Sequence, residues 1–177
     1  LAFGCPVNLK AVHIEGIRQV SAIDIEFATE LGYHIKLLGI ARLTDHGVEQ
    51  RVHPCMVAKE SAIASVGGVF NAVVAEGKYI DKVVFEGRGA GEGPTASAVM
   101  GDVIDVARGN RLPTFSISAD SLRPIQSATM DHHVGPYYVR LTVIDQPGVI
   151  ADISAILRDR NISIGSMLQR GRDPGEP

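Results

Sequence analysis

Four glycines at alternate positions, Gly87, Gly89, Gly91 and Gly93, stand between a β-branched run and a run with helical spacing. Glycine reaches positive φ at no steric cost and leaves no Cβ to hold a bound group away. A helix that starts behind such a loop presents free N–H groups, which favour an anion or a carbonyl oxygen. The loop is not the dinucleotide fingerprint. Counted from Gly87, the third glycine of G-x-G-x-x-G falls on Glu92, and from Gly89 it falls on Pro94. No Gly-Lys-Ser/Thr follows, so it is not a P-loop either. The competing reading is a tight strand-to-helix turn that needs glycine for its packing. The residues alone leave both readings open.

Other side chains with possible chemistry carry less. His132 and His133 are adjacent and lack the i, i+4 geometry of a helical metal pair. His53 with Cys55 makes half of a zinc site at most, and no second pair exists. Glu15 ends a strand-like stretch, where a solvated carboxylate is the ordinary reading and a buried acid near substrate the other.

The elements that must position the glycine loop follow from pattern. Val83 to Glu86 reads as a buried strand. Pro94 stands where a helix would start. Ala96, Val99, Met100, Val103, Ile104 and Ala107 then form one apolar helix face, with Gly109 as its stop. Upstream, Val7 to Ile14 is strand-like in imperfect alternation. Ser21 is a good N-cap with Asp24 in the first turn, for a helix carrying Ile23, Phe27 and Leu31 and ending at Gly32. Tyr33–Leu43 and Val48–Val57 read as antiparallel strands around the turn Asp45-His46-Gly47. Ser61 to Val66 opens with a helical turn, Gly67-Gly68 breaks it, and Val69 to Ala75 is another strand. Neighbouring strands with helices on one face give an α+β class.

Residues 110–135 change character. Leu112-Pro113, Ser116, Ser118, Ser121 and Pro124 interrupt short apolar pieces, so the stretch reads as a connector with one brief strand at most. A new unit begins at Tyr137. Val139, Leu141 and Val143 alternate with Tyr138, Arg140 and Thr142. The turn Asp145-Gln146-Pro147-Gly148 opens a helix whose buried face is Val149, Ile153, Ile156 and Leu157, with Asn161 at its end. Ile162 to Gln169 is a second strand. This βαβ unit predicts two strands parallel in one sheet.

Bulk properties exclude several classes. A net charge of −3 over 177 residues gives no nucleic-acid footprint. No apolar run approaches a membrane span, and the first residues lack a basic start, so no signal peptide is expected. The two cysteines, Cys5 and Cys55, make no disulfide framework and fit a reducing cytoplasm. Both ends read as cut, the first as the tail of a helix and the last as a turn-rich stretch.

Several separated blocks resemble homoserine dehydrogenase, in order and over nearly the whole chain. They are residues 86–99, Glu15-Gly16-Ile17, residues 28–41 and Arg51-Val52-His53-Pro54. The resemblance implies interconversion of L-aspartate 4-semialdehyde and L-homoserine with NAD(P), in threonine, methionine and isoleucine biosynthesis. It places the glycine loop beside the nicotinamide, with Gly89, Ala90, Gly91 and Thr95 as cofactor-binding residues and Arg88 pointing away. It also implies a cytoplasmic homo-oligomer, a homodimer through the sheet. The family's catalytic aspartate and lysine lie before Leu1, and none of Lys10, Lys36, Lys59, Lys78 and Lys82 matches them. No catalytic residue is therefore assigned, and this polypeptide alone is expected to be inactive.

Asp145-Gln146-Pro147-Gly148-Val149-Ile150-Ala151 resembles the start of an ACT regulatory domain, a ferredoxin-like module of which the second half is absent. That resemblance puts a small amino acid at Asp145, Gln146, Gly148 and Val149. L-Threonine fits, with a carboxylate offered to its amino group and helix N–H groups offered to its carboxylate. The expected organisation is 1–109 catalytic, 110–135 connector and 136–177 partial ACT. The rival function is a non-catalytic amino-acid-sensing module.

Overall fold

The computed structural model describes residues 2–111, 113, 117–144 and 146–170. The first helix, α1 (Ala22–Glu30), forms because Ser21 and Asp24 close a capping box. Ser21 Oγ accepts from the Asp24 N–H at 3.4 Å, and Asp24 Oδ2 accepts from the Ser21 N–H at 2.9 Å. Such caps are worth about 0.5–2 kcal/mol. Gly32 leaves the helix at φ +86°, the left-handed stop that glycine favours. Ala28, only 1% exposed, seats α1 against the first long strand, β2 (Tyr33–Thr44).

β2 pairs antiparallel with β3 (Gly47–Ala58) in a continuous register from Tyr33↔Ala58 to Thr44↔Gly47. Gly47, at φ +113°, turns the hairpin. The turn also receives a second chain segment. Val48 N–H donates to Gln126 O at 2.8 Å, and the short strand Ser127–Ala128 pairs parallel with Val48–Glu49. A Cβ on Gly47 would lie 2.0 Å from the Gln126 carbonyl oxygen. The brief strand expected within the connector is therefore real, and only glycine admits it.

The strand expected over Val7–Ile14 shrinks to β1 (His13–Ile14), parallel to Arg51–Val52. Leu9–Ala11 instead close a 3-10 turn, with Ala11 N–H donating to Asn8 O at 3.1 Å. Val7 and Leu9 are exposed, so the alternation there has no face to bury.

After a short helix α2 (Ala62–Ser65), β4 (Phe70–Gly77) and β5 (Asp81–Arg88) form a separate antiparallel hairpin. The strands thus make two sheets rather than one layer. The helix α3 (Glu92–Ala107) follows and stops at Gly109 with bonds from Gly109 N–H to Val106 O and from Asn110 N–H to Asp105 O, both at 3.0 Å. The strand of the connector is β6 (Ser127–Ala128).

The class is α+β, as the sequence predicts. The βαβ unit is corrected in part. Its helix, α4 (Val149–Asp159), forms and ends at Asn161, φ +55°, with Ile162 N–H donating to Leu157 O at 2.9 Å. Val149, Ile153 and Leu157 are half-buried, but Ile156 is exposed. No described residue of 136–144 or 162–170 pairs in a ladder. In a split βαβ the two parallel strands are kept apart by a third strand between them. No described residues supply that strand, so neither flank finds a backbone partner.

Candidate nicotinamide-facing loop and regulatory turn

The register Phe70↔Arg88 ends the β4–β5 ladder, and Gly89 N–H extends it by donating to Val69 O at 3.0 Å. A Cβ on Gly89 would fall 1.5 Å from Asn71 Nδ2. Gly91, at φ +119° and ψ 153°, is the N-cap of α3 in a region that only glycine occupies readily. Its carbonyl accepts from Thr95 N–H at 3.2 Å and from Thr95 Oγ1 at 2.8 Å. Gly91 is thus required by the turn itself, while a side chain at Gly89 would have to displace the Asn71 amide. At Gly87 and Gly93 a Cβ would meet nothing within 4 Å.

Ala90 is exposed between Gly89 and Gly91. The N–H groups of Glu92 and Gly93, in the first turn of α3, have no partner among the described residues. Pro94 falls within that first turn, where its missing N–H costs nothing. The Arg88 guanidinium lies 5.6 Å from the Phe70 ring on the neighbouring strand. The loop therefore offers two donors and a low backbone wall at Gly89–Ala90–Gly91. Thr95 spends its hydroxyl on the helix start.

The second candidate site opens α4. Gly148 is its N-cap at φ +100°, and its carbonyl accepts from Asp152 N–H at 3.0 Å. Gln146 is exposed and Val149 half-buried. Asp145 lies outside the described residues.

Two polar clusters escape a reading by sequence spacing. In the first, Asp24 Oδ1 accepts from Tyr138 Oη at 2.9 Å and from Arg140 Nε at 2.7 Å. Burial alone would raise the Asp24 pKa, but the bonds from Ser21, Arg140 and Tyr138 outweigh it and hold the carboxyl well below the usual range. The second cluster runs along one face of β3. Glu49 pairs with Arg51, Arg51 Nε donates to His53 Nε2 at 2.9 Å, and His133 Nδ1 lies 3.1 Å from Glu49 Oε2. Burial, with Arg51 beside both rings, pushes the pKa of His53 and of His133 down. A carboxylate only accepts, so neutral His133 carries its proton on Nδ1. Burial raises the Cys55 thiol. His132 stacks on His46 with ring centroids 4.0 Å apart. Glu15 is exposed at the end of β1. Among the described residues no group of three His, Cys, Asp or Glu could hold a metal.

Comparison with known proteins decides the family. The homoserine dehydrogenase family profile matches residues 1–104, and the ACT domain profile matches residues 137–176. The chain belongs to the homoserine dehydrogenase family. The homoserine dehydrogenase of Neisseria gonorrhoeae is 40% identical over 177 residues, covering 97% of this chain and 41% of the relative. That of Pseudomonas aeruginosa is 38% identical, covering 96% and 41%. A crystal structure of a homoserine dehydrogenase from Thiobacillus denitrificans superposes with a TM-score of 0.78 at 37% identity, over 94% of this chain and 40% of that one. The chain thus spans about two fifths of the length of these relatives. Their similarity runs through both the glycine loop and the ACT stretch, so a sensing module without a catalytic part is not supported.

Proposed function

We propose that this chain is the glycine-loop part and the regulatory stretch of a homoserine dehydrogenase. The reaction is NAD(P)-dependent interconversion of L-aspartate 4-semialdehyde and L-homoserine, in the cytoplasm and within a homo-oligomer. Residues 1–109 belong to the catalytic part, 110–135 connect, and 136–177 begin the ACT domain. The observation that carries the reading is the loop itself, set in a chain that matches the family over residues 1–104. Its wall at Gly89, Ala90 and Gly91 has one methyl group, and free donors follow at Glu92 and Gly93.

Those residues fit the edge of a nicotinamide ring with its carboxamide. When bound, the cofactor supplies or accepts the hydride. The chain's own residues position and shield. Gly91 sets the backbone angle of the loop, and Gly89 lets it lie on Asn71. Thr95 anchors the helix start through the Gly91 carbonyl, one bond away from the wall. At the other site, the first turn of α4 offers N–H groups to the α-carboxylate of a small amino acid, L-threonine by our reading. Gln146, Gly148 and Val149 border that turn, and Asp145 would supply the charge for its amino group.

The test is Ala90→Leu in the full-length enzyme. Ala90 needs no special backbone, so the variant should fold. A bulky side chain at the wall should displace the hydride donor, and about an ångström of displacement costs on the order of a hundredfold in rate. Wild-type kinetics in a folded Ala90→Leu enzyme would leave the loop a packing turn.

A further inference from the structure

Of the two buried charge clusters, the one on β3 gathers Glu49, Arg51, His53 and His133 around a single strand. The Asp24 cluster is different, because it joins segments more than a hundred residues apart. We propose that the contact of Tyr138 and Arg140 with Asp24 is a latch that transmits the state of the regulatory stretch to the catalytic part. This inference rests on the regulatory reading of residues 136–177.

One carboxylate holds two structures in register. Asp24 Oδ2 accepts from the Ser21 N–H at 2.9 Å and the Ser21 hydroxyl at 2.6 Å, which fixes the start of α1. Asp24 Oδ1 accepts from Tyr138 and Arg140, which fixes the regulatory segment. Asp24 is only 6% exposed. If Tyr138 and Arg140 withdraw, a buried charge loses two donors, which is costly. If they shift without letting go, they carry Asp24 and Ser21 with them.

That shift has a structural consequence. Ser21 is separated from the 3-10 turn Ile17–Gln19 by Val20 alone. Ile17, Val20, Ile25 and Thr29 line an open groove of about 440 Å³ together with Leu37 of β2 and Ala64. A shift of α1 therefore moves part of the lining of this groove. A second hold lies further along the same helix. Arg170 pairs with Glu30 and, at 3.2 Å, with Glu26, and its guanidinium stands 4.9 Å from the Phe27 ring. These groups are exposed, so water and salt weaken that hold, and the Asp24 contact dominates. Segments on both sides of α4 thus grip α1.

Coupling is the quantity to measure, since proximity alone is no warrant for it. The variant is Arg140→Gln in the full-length enzyme, with L-threonine as the probe. We expect calorimetry to give threonine affinity within about threefold of wild type, while inhibition at saturating threonine falls at least about fivefold. Inhibition equal to that of wild type would overturn the latch. If wild-type enzyme neither binds threonine nor responds to it, the sensing reading fails instead. The latch is then judged by a double-mutant cycle of Asp24→Asn and Arg140→Gln on the unfolding equilibrium. Non-additivity of about tenfold supports it, and additivity within about twofold overturns it.

Discussion

At the scale of single residues, environment decides what each polar group does. His133 is held neutral by burial and by Arg51 and Arg42, although Glu49 lies beside it. In an unfolded chain the same ring titrates near 6.5. As pH falls below that value, the unfolded state takes up a proton that the folded state refuses. Stability contributed by neutral His133 is therefore complete above about pH 6.5 and declines as pH drops toward the lower folded value. His133→Gln keeps a donor for Glu49 and removes the titration. Denaturant unfolding of wild type and variant between pH 7 and pH 5 should show a shallower decline for His133→Gln; equal slopes would mean that His133 does not contribute. Such an environment was not legible in the sequence. The pair His132-His133 gave no metal geometry, and Glu49 lies 84 positions away from the ring it accepts from. Asp24 was legible as a first-turn acid, because Ser21 is its local partner. Its bonds to Tyr138 and Arg140 were not, since nothing local encodes them.

At the scale of elements, the sequence spoke clearly wherever a pattern was closed by local chemistry. The β2–β3 hairpin follows from two strand-like runs around Asp45-His46-Gly47, and the structure pairs them antiparallel along their whole length. The stops at Gly32 and Gly109 follow from glycine at positive φ. Elements that need a distant partner were read less well. β1 is two residues long, His13 and Ile14, with Glu15 N–H adding one more bond to Val52 O of β3. The flanks of α4 alternate as strands should, yet they have no neighbour to pair with. Gly47 shows how a turn residue can also serve tertiary structure. Gly47→Ala would put a Cβ against the Gln126 carbonyl at a backbone angle that alanine resists. The expected loss is about 1–3 kcal/mol, with exchange protection of the Val48 amide lost first. An unchanged melting temperature would show that β6 docks without need of that glycine. For the glycine loop, pattern identified the place and left its purpose open. Gly91 is constrained by its backbone angle and Gly89 lies against the Asn71 side chain, so Ala90 is the cleaner reporter of a ligand.

At the scale of the whole molecule, the buried apolar set is small: Cys5, Ala28, Val48, Ala64 and Ala128 among the described residues. Large apolar groups stay exposed, among them Val99 at 55%, Met100 at 53% and Val103 at 52% on α3. Extended apolar surface of this kind marks a face meant to be covered. In the enzyme proposed here, the rest of a chain about two and a half times longer, as in the relatives, supplies that cover and the catalytic side chains. No helix among the described residues is long and apolar enough to cross a membrane, so the exposed faces are not spans of that kind. The central claim is that this chain is one part of a working homoserine dehydrogenase. It is tested most directly by the initial rate of homoserine-dependent NAD(P) reduction, measured for the full-length enzyme and for residues 1–177 alone. Turnover is expected from the full-length enzyme and none from the 177-residue polypeptide. A full-length protein without homoserine-dependent turnover, or turnover by residues 1–177 on their own, would contradict it.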